Sequence, residues 1–129
     1  MADFDPAEFN KLAEELLRKL SGAPVVTSGP DQAKVRTAIG RSYYSAFLVA
    51  REKLSTLGTM TPAGESRDHQ LVVDALGGEK SDLGGRMYRL RLKRNRADYN
   101  LNPSGFTLQA ARFWLRTASN LIAEAGKLS

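Results

Sequence analysis

The chain has 129 residues, of which 42% are apolar, with no cysteine, one histidine and a formal charge of +5. One compact domain over residues 1–129 is expected, large enough to bury a core without staples. Disulfides and thiolate metal sites are excluded, and with His69 the sole histidine a zinc site would have to rest on carboxylates, so neither metal nor cofactor is expected. No apolar run approaches the roughly 20 residues that span a bilayer, and Ala2-Asp3-Phe4-Asp5 lacks the basic start of a signal peptide, so the chain reads as cytoplasmic with no membrane partner.

Asp5-Pro6-Ala7-Glu8 has the form of a helix start, with Asp5 as N-cap, Pro6 in the first turn and Glu8 closing a capping box. This first helix should run to about Leu20, with Phe9, Leu12, Ala13, Leu16, Leu17 and Leu20 on one side. Residues 21–30 hold two prolines and two glycines and read as a loop, after which Asp31 is placed to cap a long second helix ending at Gly58. The inner stripe of that helix is Val35, Ala38, Ile39, Ser42, Tyr43, Ala46, Phe47, Ala50, Leu54 and Leu57. Ser66 can cap a short third helix with His69, Val72, Val73 and Leu76 on one face, and Gly77-Gly78 should stop it.

Ser81 starts a fourth helix that must end or bend between Asn95 and Asn102, where Asn-Pro and Ser-Gly are turn chemistry. Its apolar stripe, Leu83, Met87 and Leu90, continues onto Arg94, so an arginine points toward a core, a cleft or a subunit seam. A fifth helix is expected from Ser104 to about Ala125, with Leu108, Ala111, Leu115, Ala118, Leu121, Ile122 and Ala125 inward. No segment alternates with the period of two that strands require. The expected fold class is all-α, a bundle of four or five helices.

The charge is concentrated. Between residues 86 and 96 stand six cations, Arg86, Arg89, Arg91, Lys93, Arg94 and Arg96, and no acid. Their repulsion calls for solvent, carboxylates or phosphates, which makes an anionic partner, nucleic acid or an acidic protein, the economical reading. No phosphate loop, dinucleotide fingerprint, zinc-protease helix or serine elbow is present. Candidate chemistry therefore falls to Arg94, Asn95, Asp98 and Tyr99, with His69 elsewhere in the chain. A guanidinium supplies two donors and a permanent charge to a scissile phosphate without any metal. Arg94 has a structural alternative in an ion pair with Asp98, four residues on, and His69 one as an ordinary residue of an apolar stripe.

Arg41-Ser42-Tyr43-Tyr44-Ser45-Ala46-Phe47 on the second helix, His69 opening the third, and Leu90-Arg91-Leu92-Lys93-Arg94-Asn95-Arg96-Ala97-Asp98-Tyr99 ending the fourth together resemble the HEPN superfamily over roughly residues 31–125. The resemblance implies a HEPN-like helical bundle that forms a homodimer. It also implies, for many members, a metal-independent endoribonuclease of toxin-antitoxin or antiviral defence systems. The family's catalytic arginine and following asparagine fall on Arg94 and Asn95. Where the closest spacing has histidine this chain has Tyr99, whose phenol titrates near 10 against about 6.5 for histidine, a handicap as base of on the order of 5 kcal/mol at neutral pH.

A branch with R-x-x-A-D-Y in that position is more similar still, and it implies a binding or assembly module often encoded beside a nucleotidyltransferase. Three expectations follow from the resemblance. The first is an RNA-directed or partner-binding dimeric module with a degenerate ribonuclease motif, contacting RNA or a nucleotide through Arg86, Arg89, Arg91, Lys93 and Arg96. The second is an active endoribonuclease toxin using Arg94 with Tyr99, Asp98 or His69. The third is a pure protein-interaction subunit whose partner is a nucleotidyltransferase or an antitoxin.

Overall fold

Apolar residues spaced three and four apart give five segments of this chain a buried face, and those faces determine which helices meet. The computed structural model describes residues 4–20, 29–64 and 66–129. Among them the elements are α1 (Glu8–Arg18), α2 (Gly29–Thr56), α3 (Ser66–Glu79), α4 (Ser81–Tyr99) and α5 (Leu108–Gly126), with no strand. α2 runs the length of the bundle, with α1, α3, α4 and α5 all packed against it.

The core is in two parts. Ala13, Leu17, Val35, Ile39, Ala97, Phe106 and Leu115 pack at one end, where α1 meets the first half of α2 and the last turn of α4. Tyr43, Phe47, Leu54, Leu76, Met87, Leu90 and Leu121 pack at the other, where α3 replaces α1. On α2 the division falls between Ile39 and Tyr43, and on α4 between Leu90 and Ala97. The residues in those gaps, Ser42 and Arg94, are polar, and the Ser42 hydroxyl is buried without a hydrogen-bond partner.

Helix ends depart from expectation where a residue does a different job. Asp5 accepts a hydrogen bond from Ala7 N–H at 3.0 Å, but the α-helix starts only at Glu8, whose carboxylate pairs with Lys11 at 3.0 Å. The loop expected over 21–30 lies mostly outside the described residues. Gly29 and Pro30 already belong to α2, so Asp31 sits within the first turn, where its charge favours the helix dipole, and is not the cap. Gly58, at φ +75°, ends α2 as expected. Ser66 is the first residue of α3. The fifth helix begins four residues later than Ser104, because Thr107 is its N-cap and accepts from Ala110 N–H at 3.0 Å.

Gly77 and Gly78 do not stop α3, which continues to Glu79. The role of Gly77 is contact. A Cβ on Gly84 of α4 would lie 2.7 Å from Gly77 Cα and 2.9 Å from the Val73 carbonyl oxygen, so the two helices touch backbone to backbone. The C-terminus of α4 is secured from outside its own sequence. Arg36 of α2 donates to the carbonyls of Ala97, at 3.0 Å, Asn100, and Asn102, at 3.1 Å, while its guanidinium lies 4.2 Å above the Phe106 ring. The Ala97 carbonyl is one of the acceptors the end of α4 leaves unpaired, and the other two belong to its C-cap and the loop beyond.

The glycine contact makes a two-way prediction. Gly84→Ala forces α3 and α4 apart and should cost about 1–3 kcal/mol, the range for overpacking. Gly78→Ala meets nothing within 4 Å, and should be neutral or stabilise by about 0.4–1 kcal/mol through the unfolded chain. Urea midpoints of the two variants decide it; equal losses would remove the close-approach explanation.

Candidate functional site

Arg94 lies on the inner stripe of α4 at the gap between the core halves, and its side chain is 19% exposed. A charge in that position needs partners from several elements. Nη2 donates to the Tyr44 hydroxyl at 2.6 Å and Nη1 to Asn95 Oδ1 at 3.0 Å. Nε is 3.0 Å from Asp98 Oδ2, close enough for charge pairing, yet it has no aligned hydrogen-bond acceptor. We therefore describe Arg94–Asp98 as an ion pair without an aligned hydrogen bond from Nε. The guanidinium also lies 4.9 Å from the centre of the Tyr44 ring.

Beside it opens a groove of about 600 Å³ bounded by α1, α2, α3 and α4. Its polar rim is Arg41, Arg51, His69, Arg94 and Asp98, and its apolar wall includes Phe9, Tyr44 and Phe47. Gly40, in the middle of α2, faces Asp98; a Cβ there would stand 3.9 Å from its Oδ1. Arg51 is taken up by Asp68 at 3.1 Å and Arg94 by Asp98. Arg41 has no carboxylate within ion-pair reach among the described residues, and its guanidinium lies 5.3 Å from the Phe9 ring and 5.2 Å from that of Tyr44. The groove therefore carries a net positive charge with one uncommitted guanidinium.

Asp68 and His69 explain how α3 reaches this groove. Asp68 is fully buried, and Oδ1 accepts from the Ala63 and Gly64 N–H groups at 2.7 and 3.1 Å while Oδ2 accepts from Arg51. Burial pushes its pKa up, but the two backbone donors and Arg51 together outweigh that and hold it below the usual carboxylate value. The next residue, His69, stacks on Phe47 with ring centres 4.2 Å apart, and its Nδ1 meets the Tyr43 hydroxyl.

Burial lowers the His69 pKa, and the nearby Arg91 and Arg94 lower it further. The ring is consequently neutral near pH 7. Burial raises the Tyr43 phenol well above its ordinary range, so its O–H stays protonated. With His69 Nδ1 as its partner, that O–H donates, and the proton of the neutral imidazole is assigned to Nε2. His69 thus brings an N–H donor to the groove.

The structure brings Arg94, Asp98 and His69 of the candidates read in the sequence to one groove, while Asn95 holds Arg94 from the side of the helix that faces Tyr99. Tyr99 stands apart. It is 77% exposed and borders a shallow surface formed by Leu92, Asn95, Arg96 and Asn100. Five residues along a straight helix amount to about 140° of rotation, which carries Tyr99 away from the face of Arg94, whereas Asp98, four residues on, returns to within about 40°. The Arg94–Asp98 spacing closes; the Arg94–Tyr99 spacing does not.

The other cations of α4 are not one surface. Arg86 pairs with Asp82 at 3.0 Å and lines a cleft with Arg89 toward α5. Lys93 donates to the Gly105 carbonyl at 3.0 Å and sits 4.2 Å above Phe106; burial, then Arg96 and Arg36, lower its pKa. Arg91 faces α3 near Gln70, and Arg96 is exposed beside Tyr99. Sequence reading missed Arg41 and Arg51 as groove residues, and Asp68 as the buried carboxylate that holds Arg51. The available signal was helical spacing, since Arg41, Tyr44 and Leu48 share a face of α2 beside the inner stripe.

No helix among the described residues is long and apolar enough to cross a membrane, and no three His, Asp or Glu side chains gather there to hold a metal ion. Neither a protein-family model, nor a curated protein, nor a solved structure matches the chain.

The neutral state of His69 gives a pH prediction. Its folded-state pKa lies below the 6.5 of an exposed histidine, so the unfolded chain takes up the proton first. The contribution to stability is then fully present above about pH 6.5 and is lost as pH falls through the folded-state pKa. Asp68 has the same sign, but its window lies below the 3.8 of an exposed aspartate. Urea midpoints followed from about pH 8 to about pH 5 should therefore decline less in His69→Gln than in the wild type, and parallel declines would show that His69 is not buried neutral.

Proposed function

We propose that this chain is a HEPN-type, RNA-directed dimeric module of the toxin-antitoxin or defence kind, whose groove holds a phosphate of RNA. The observation that carries the reading is the convergence on one groove of Arg94, the uncommitted Arg41 and the His69 N–H donor, beside aromatic walls. Two guanidinium groups and a neutral N–H donor lining one groove suit the non-bridging oxygens of a phosphodiester, and the aromatic walls suit the bases that flank it. Further support comes from the likeness of the Tyr43-Tyr44 and Arg94–Tyr99 motifs to that family and from five helices in the expected order.

Binding stands ahead of cleavage because of the proton on Nε2. An imidazole whose Nδ1 accepts from Tyr43 has no free lone pair to take the proton of a ribose 2′-hydroxyl. The metal-independent endoribonuclease remains the second reading, favoured by one observation: His69 and Arg94, from different helices, line the same groove. There His69 would give a hydrogen bond to the phosphate, and a reversal of the Tyr43–His69 bond would free Nε2 as base. Protein partnership with a nucleotidyltransferase or an antitoxin has no feature of its own that favours it.

The first test is incubation of the protein with labelled single-stranded RNA in EDTA beside Arg94→Met and Tyr99→His. Methionine keeps the bulk but removes one partner of the Arg94–Asp98 pair, so it should cost some stability, and binding is compared under conditions where circular dichroism shows both proteins folded. The expected result is RNA binding by the wild type, at least tenfold weaker binding by folded Arg94→Met, and no activity gained in Tyr99→His, whose side chain lies off the groove. Equal affinity in Arg94→Met sinks the groove reading, and wild-type cleavage that disappears in Arg94→Met puts the enzyme first. The homodimer is tested separately, by sedimentation at micromolar concentration, where a monomer would refute it.

A further inference from the structure

We propose that α4 and α5 form a second RNA-contact surface, a stacking platform for single-stranded bases built from Phe113 and Trp114 and flanked by Arg86 and Arg89. It rests on the reading of RNA as the partner, but not on the groove at Arg94. The starting observation is an aromatic that the fold does not use. Phe113 lies on α5 with 51% of its surface exposed and packs edge-on against Trp114, with ring centres 5.0 Å apart at 85°. An exposed phenylalanine is unremarkable alone. Here it borders a cleft of about 270 Å³ whose other walls are Arg86, Arg89, Thr117 and Asn120.

The cations of that cleft are available. Arg89 is exposed and has no carboxylate in ion-pair reach among the described residues. Arg86 is held by Asp82 through an exposed pair four residues apart, an interaction weak enough for a phosphate to displace. Rings that supply faces, guanidinium groups that supply charge, and neutral Thr117 and Asn120 between them match what a single strand presents: unstacked bases on a phosphate backbone. A duplex would bring the phosphates without offering the bases. An acidic peptide would satisfy the arginines and leave the rings unexplained.

Trp114 is the only tryptophan of the chain, so its fluorescence reports on this surface. The full-length protein is titrated with a short oligouridylate, with duplex RNA and with inorganic polyphosphate at equal phosphate concentration. We expect saturable quenching by the oligouridylate and none by polyphosphate. Phe113→Ala and Phe113→Leu should each weaken binding about tenfold, in the range for loss of one stacked base. The leucine variant keeps the apolar contact with Trp114 and guards against a folding defect. Arg89→Gln should reduce the slope of log affinity on log salt by about 0.7, one phosphate contact to a single strand.

Arg94→Met should leave the amplitude of quenching at saturation unchanged even where overall affinity for RNA falls, which separates failure of the platform from failure of the groove. Equal quenching by polyphosphate or by duplex would reduce the surface to a charge effect and overturn the proposal. Absence of quenching, its loss in Arg94→Met, or undiminished binding by both Phe113 variants would do the same. Dissociation of a dimer by Phe113→Ala in sedimentation would reassign the face to a second copy of the chain.

Discussion

A guanidinium on the inner stripe of α4 dictates much of the architecture around it. Had Arg94 been leucine, the stripe of Leu83, Met87, Leu90 and Ala97 would be continuous, and one uninterrupted core would run the length of α2. With arginine there, apolar packing stops at Leu90 and resumes at Ala97, and the two halves of the core are separated at the level of Ser42. The charge demands acceptors, and they come from α2 in the Tyr44 hydroxyl and from α4 itself in Asn95 and Asp98. Asp98 lies over Gly40 of α2, where a Cβ would just touch its Oδ1 at 3.9 Å. The groove is the outer side of this polar layer, so its position follows from one residue of α4.

The second determinant is the buried carboxylate of Asp68. It ties the loop after α2, the first turn of α3 and Arg51 into one hydrogen-bonded unit. An unpaired charge at zero exposure would be prohibitive, so the geometry of its three donors is tightly constrained. Because His69 follows immediately, that constraint also fixes where the imidazole stands against Phe47 and Tyr43. The backbone contact of Gly77 with Gly84 then sets the distance between α3 and α4, and with it the separation of His69 from the cations of α4. Positioning of the one histidine thus depends on a carboxylate and two glycines outside the groove.

Helix number, order and most inward residues were legible in the sequence, because a repeat of three and four is a local property. Val35, Ile39, Tyr43 and Leu54 of α2 and Leu108, Ala111, Leu115 and Leu121 of α5 are buried as their spacing predicts. Gly77-Gly78 was misread because a glycine pair has the same local meaning at a helix end and at a helix crossing, and only the partner helix distinguishes them. Arg36 was not singled out for a similar reason: its acceptors are carbonyls 61 to 66 residues away. Asn10 is buried beside Ser119, and Leu12, on the expected inner stripe, is 43% exposed. In the site, Arg94 and Asp98 follow from helical spacing, but no sequence pattern could tell that His69 shares their groove.

The density of cations on α4 had suggested a single electrostatic surface, and the helix geometry argues otherwise. Positions 86, 89, 93 and 96 fall within about 80° of one another, while 91 and 94 lie on other sides of the cylinder. Lys93 is spent on the Gly105 carbonyl and the Phe106 ring, and Arg94 on the polar layer. What a polyanion meets is therefore two separated sets of guanidinium groups, Arg41 with Arg94 in the groove and Arg86 with Arg89 toward α5. Each set stands beside aromatic rings. A net charge of +5 spread evenly would draw any polyanion, including duplexes, with little selectivity. Divided in this way and paired with ring faces, the same charge would suit the single strand of RNA proposed above better than a duplex.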